Sequence, residues 1–131
     1  MGLDVANKGR GWRSIEVEGF EVLVGRGARE NDELTFQVAE PQDLWLHVSG
    51  CAGSHVVVRN PEGLSEIPRH VVERAAELAA WHSRARKARG KVEVHVCRVS
   101  DVSKRRGAPP GEVALRRWDA VRVYPGGPAE A

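Results

Sequence analysis

The stretch DLWLHVSGCAGSHVVVRN, residues 43–60, constrains the fold more than any other part of the chain. Two strand-like apolar runs, Leu44-Trp45-Leu46 and Val56-Val57-Val58, flank the loop Ser49-Gly50-Cys51-Ala52-Gly53. The pattern predicts strands at about 43–48 and 55–59, joined by that loop. His47 and His55 close the loop and Cys51 lies midway, so the segment also raises the question of a metal or catalytic site. His47 shares a face with Trp45, because alternate residues of a strand point the same way. For His55 both faces of its run are apolar, and the alternation leaves its direction open.

The flanking sequence supplies partners for these strands. Trp12–Val17 and Phe20–Val24 read as a hairpin turned at Glu18-Gly19. A short helix is expected from a cap at Asn31 or Asp32 to about Val38, although Leu34, Phe36 and Val38 also fit a strand. After a turn at Asn60-Pro61-Glu62-Gly63, Pro68 opens a long helix predicted over 68–89. Its Val71, Val72, Ala75, Ala76, Leu78, Ala79 and His82 form one apolar-to-small face, and Gly90 ends it. Val92–Val99 alternates as a strand. A basic loop over 103–111 follows, then strands at 113–115 and 120–124. The sum is an α+β domain, a largely antiparallel sheet with one long and one short helix packed on it. The 131 residues suit one domain, over 12–125, with flexible tails expected at 1–11 and 126–131.

Net charge is only +2 but unevenly placed. Residues 84–122 hold twelve basic side chains against four acidic ones, and the remainder holds eight against fourteen. Such segregation suits a basic face for an anionic partner. No apolar run reaches the ~20 residues of a membrane span and no signal-peptide core is present, so a cytoplasmic location with no membrane partner is expected. Cys51 and Cys97 form no CxxC pair and are expected as free thiols.

The chemical alternatives narrow quickly. His47, Cys51 and His55 are zinc-compatible residue types, with His95 or Cys97 as a fourth, but their spacing matches no common knuckle. Ser54 and His55 are adjacent on a strand, point to opposite faces, and lack a nucleophile elbow. Gly50–Ser54 lacks the lysine and following helix of a phosphate-binding P-loop. Basic clusters beside tryptophans remain, and they suit RNA; Trp45 reads as core, while Trp81 and Trp118, flanked by cations, fit either a core place or a stacking face for an unpaired base.

Three blocks carry a resemblance. The first is Gly19-Phe20-Glu21-Val22-Leu23-Val24-Gly25-Arg26 with Ala28 and Asn31-Asp32. The second is Asp43-Leu44-Trp45-Leu46-His47 with Gly53-Ser54-His55-Val56-Val57-Val58-Arg59. The third is Ala76, Ala79-Ala80, Ser83 and Ala85-Arg86, then Val102, Lys104, Gly107-Ala108 and Pro110-Gly111. In order and spacing these resemble the NFACT-R domain, the C-terminal RNA-binding module of ribosome quality-control factors of the RqcH and NEMF type. The chain departs from the family at Cys51, usually apolar, and Ala52, usually proline. The module is expected here as a free-standing domain, without the NFACT-N, helix-hairpin-helix and coiled-coil segments of the long factors.

The resemblance implies a non-catalytic domain that binds structured RNA, tRNA or rRNA, in translation or ribosome-associated quality control, with no cofactor and no metal. The expected contacts are His47, Ser54, His55 and Arg59 from the paired strands. Arg84, Arg86 and Lys87 join them from the helix end, and Lys104, Arg105 and Arg106 from the basic loop. The cations would neutralise phosphates, and the histidines and Ser54 would bond phosphate, 2′-OH or base edges. Alternative roles are an accessory subunit of a tRNA- or rRNA-modifying enzyme, for instance in thiolation, and a protein-binding adaptor on the large ribosomal subunit.

Overall fold

A computed structural model describes residues 11–127. The expected tails lie outside the described residues except for Gly11, Gly126 and Gly127. The Gly126 amide donates to the Glu77 carbonyl, and the Arg74 guanidinium donates to the carbonyls of both glycines.

Among the described residues eight strands form: β1 (Trp12–Val17), β2 (Phe20–Gly25), β3 (Leu44–Val48), β4 (Val56–Val58), β5 (Val92–Arg98), β6 (Val102–Ser103), β7 (Ala114–Leu115) and β8 (Asp119–Val123). Six of them make one antiparallel sheet in the order β1-β2-β4-β3-β5-β8, and β6 and β7 make a small ribbon. The fold is therefore the expected α+β arrangement. The β1–β2 turn holds Glu18 at φ 50° and Gly19 at φ 88°, the two left-handed residues that match a tight hairpin to the twist of its strands.

The sheet is buried on both sides. Val22, Val24, Leu44, Leu46, Val56, Val58 and Val94 pack on helix α2 (Arg69–Trp81), whose Ala75, Ala76, Ala79 and Ala80 allow close approach. Leu23, Trp45, Val57 and Cys97 form a second core on the opposite face with Trp12, Leu34, Val99 and Val102. That face is covered by the ribbon and by α1 (Ala28–Glu33), which continues as a π-helical turn over Leu34–Val38. On the pleated strands the side chains alternate, so His47, His55 and His95 share the face of Trp45.

Two expected helices need correction. The short helix begins at Ala28 behind Gly27 rather than at an Asn31 or Asp32 cap. Those two residues lie inside it and direct their side chains to distant loops. The long helix ends at Trp81, not near residue 89, with His82 at φ −92° and ψ 48°. Residues 84–89 are good helix formers, but here tertiary hydrogen bonds overrule propensity. Ser83 bridges Gly53, the Ser54 amide donates to the His82 carbonyl, and the Arg84 amide donates to the Ala52 carbonyl. The close pairing needs a glycine, since a Cβ at Gly53 would lie 2.7 Å from the Ser83 Cβ.

Candidate nucleic-acid interface

The opening stretch folds as a frame anchored at both ends. At one end Asp43 is buried and accepts from the amides of Asn60 (2.7 Å) and Glu40 (2.8 Å). Its Oδ2 also lies 2.9 Å from Arg59 Nε, an ion pair without hydrogen-bond alignment. At the other end Asn31 accepts from the His55 amide (3.1 Å) and donates to the Gly53 carbonyl (3.4 Å). Asp32 accepts from the Gly111 amide at 3.0 Å, drawing the 104–112 loop onto α1.

His55 joins these parts. It is 1% exposed, and its Nε2 lies 3.1 Å from the Gly111 carbonyl, which can only accept, so that nitrogen carries the proton. Nδ1 therefore accepts from Thr35 Oγ1 at 2.8 Å. Thr35 in turn accepts from Trp45 Nε1 at 3.2 Å. The donor direction is thus set from Trp45 through Thr35 and His55 to Gly111. Burial, reinforced by the nearby His47, lowers the His55 pKa to about 4 and keeps the ring neutral.

Beside this frame lies an open groove of about 990 Å³. Arg13 from β1, Arg26 after β2, and Arg84 and Arg86 after α2 converge on it, with Ser54 and His47 in its wall. The first hairpin and the segment after α2 thus line one concavity with four arginines. The Arg86 guanidinium lies over the Trp81 ring, 4.3 Å from its centre. His47 is half-buried, stacked 5.8 Å from Trp45 and edge-on to His55 at 5.6 Å. Burial is the main cause of its lowered pKa, and it is predominantly neutral at pH 7. It can therefore both donate and accept a hydrogen bond. The Ser54 hydroxyl donates to the Gly25 carbonyl at 2.5 Å, leaving its lone pairs for a ligand.

The expected contact residues thus separate. His47, Ser54, Arg84 and Arg86 line the arginine groove. Arg105 lines an adjoining cleft, while Lys87 and Arg106 are exposed outside both. His55 is buried with both ring nitrogens engaged, so it supports the groove rather than facing a ligand. Arg59 sits beside Asp43, four residues along β4 from His55, or roughly 13 Å at strand rise. Lys104 Nζ is held by Asp32 Oδ2 (2.9 Å) and by the carbonyls of Glu112 and Pro109. It closes the loop instead of projecting from it. Arg13 and Arg26 were missed; Arg26 stands in the Gly25-Arg26 pair of the first sequence block, which was its available signal. Among the described residues no three His, Cys, Asp or Glu side chains group as metal ligands.

A model of the family described as NFACT protein RNA binding domain matches residues 12–117. The chain is 37% identical over 107 residues to the Rqc2 homolog RqcH of Bacillus subtilis, covering 82% of this chain and 18% of that protein. It is 29% identical over 109 residues to the ribosome quality control complex subunit 2 of Schizosaccharomyces pombe, covering 83% of this chain and 10% of that protein. It thus spans less than a fifth of the length of these curated relatives. The solved structure of the C-terminal of the fibronectin/fibrinogen-binding protein from Streptococcus suis superposes with a TM-score of 0.81 at 34% identity, covering 91% of this chain and 47% of that one. The family match runs from the first strand through the frame, the groove and the 104–112 loop, and the chain belongs to the NFACT-R family.

Proposed function

We propose that this domain is a non-catalytic module that holds structured RNA, tRNA or rRNA, in a cytoplasmic, ribosome-associated quality-control setting. The observation that carries the reading is the convergence of Arg13, Arg26, Arg84 and Arg86 on one groove. Guanidinium groups pair with phosphate oxygens in a planar, bidentate fashion. The neutral His47 ring and the Ser54 oxygen add hydrogen bonds suited to a 2′-OH or a base edge. Arg105, Arg106 and Lys87 extend the basic surface beyond the groove. The names of the relatives supply the ribosomal setting, since one is a subunit of a ribosome quality control complex.

The test is fluorescence anisotropy with labelled tRNA at a series of salt concentrations. Four phosphates held by four arginines predict a log–log slope of about −2.8 to −3.6, at ~0.7 to 0.9 per phosphate. Each arginine-to-alanine change should lower affinity for all RNAs alike and flatten the slope by about one contact's worth. Binding that is indifferent to salt would overturn the reading.

A further inference from the structure

Behind the arginine groove, on the other side of His47, lies a second cleft of about 390 Å³. Its floor is the buried Trp45 and its walls are His95, Trp118 and the chain over Gly111–Leu115. Trp118 stands at the lip, 49% exposed, with its ring 5.3 Å from that of His95 and inclined at 37°. Trp12 and Trp45, by contrast, are buried at 8% and 2%. An exposed indole beside a cleft offers a face on which an unpaired base can stack.

The charges around this cleft differ from those of the first. It has one arginine, Arg105, against the carboxylate of Glu112, and a second carboxylate, Glu93, lies 3.2 Å from His95 Nε2. Four arginines against the same single glutamate line the arginine groove. Carboxylates oppose a phosphate but accept hydrogen bonds from the exocyclic amino groups of adenine, cytosine or guanine. The aromatic surfaces offer stacking, which any base satisfies. His47, Gly111 and Glu112 border both spaces, so the two adjoin.

Resting on the RNA-binding reading above, we propose that the Trp118–His95 cleft receives one unpaired nucleobase of the RNA whose phosphates lie in the arginine groove. The base stacks on Trp118, and its amino edge meets Glu112. Backbone and base are thus read in two adjoining spaces, with His47 at the divide. The domain should accordingly prefer RNA with unpaired nucleotides over a fully paired helix.

The experiment compares two labelled RNAs with the same number of phosphates, a hairpin with a single-stranded loop and a fully paired duplex. Both are titrated against the parent protein, Trp118→Ala and Trp118→Phe, with thermal melts confirming that each variant is folded. Trp118→Ala should weaken hairpin binding about tenfold, the scale of one lost base stack. Duplex binding should stay within twofold, and Trp118→Phe should recover most of the loss. An equal loss on both RNAs, or no loss on the hairpin, overturns the base cleft while leaving RNA binding in place. A parent protein that binds neither RNA overturns both.

Discussion

His55→Ala removes an imidazole that is 1% exposed, packed edge-on against Trp45 at 5.0 Å, and bonded at both nitrogens. Truncating a buried aromatic side chain costs about 3–5 kcal/mol, and the smaller imidazole belongs near the lower end. The change also strands the Thr35 hydroxyl proton and the Gly111 carbonyl, a further cost of about 1 kcal/mol or more where water cannot reach. The expected loss is about 3–4 kcal/mol, well above the ~1 kcal/mol of a typical surface site. A second signature comes from pH. The folded pKa lies near 4, below the ordinary 6.5, so between those values the unfolded chain takes up the proton more readily than the folded one. Stability is therefore fully present above pH 6.5 and lost as pH falls toward 4. From pH 7 to pH 5 this one group should remove about 2 kcal/mol. Urea unfolding of the parent and of His55→Gln at both pH values isolates it, because the titrations of other groups are common to the two proteins. An equal loss of stability in parent and variant between pH 7 and pH 5 would refute the hydrogen-bonded, neutral His55 described above.

Gly53→Ala should destabilise by about 1–3 kcal/mol, the scale of overpacking, because the new Cβ would meet the Ser83 Cβ at 2.7 Å and Val48 Cγ1 at 3.1 Å; a thermal melt reads it directly. Lys104→Ala should cost about 1 kcal/mol by releasing the 104–112 loop from Asp32, and hydrogen exchange should show faster exchange of the Gly111 amide. The Cys97 thiol, pushed up to about 12 by burial and by the nearby Asp101, should resist alkylation at pH 8 until the protein is unfolded, as mass spectrometry would show.

The local pattern determined most of the fold. Strand alternation placed β1, β2, β3, β4 and β5 within a residue or two. Glu18-Gly19 located the hairpin turn, and the small face of residues 71–79 identified the helix that covers the sheet. These features depend on near neighbours in the chain, where period and turn chemistry act. The family was legible for the same reason, since its motifs are contiguous blocks with fixed spacing.

Tertiary structure decided what depends on residues far apart. Nothing local stops the helix at Trp81; the pairing of Ser83 with Gly53 does, thirty residues away in sequence. That pairing carries Arg84 and Arg86 off the helix and into the groove. The direction of His55 was undetermined because Val56 and Val57 make both faces apolar, and only Thr35 and Gly111 together turn it inward. Lys104 reads as a free cation in sequence, yet Asp32, seventy-two residues earlier, holds it. Arg13 and Arg26 lie outside the basic 84–122 segment and became groove residues through the pairing of β1 with β2 and β2 with β4. Periodicity reports which way a side chain leaves its own strand or helix; long-range hydrogen bonds and ion pairs determine whether it reaches solvent, core or ligand.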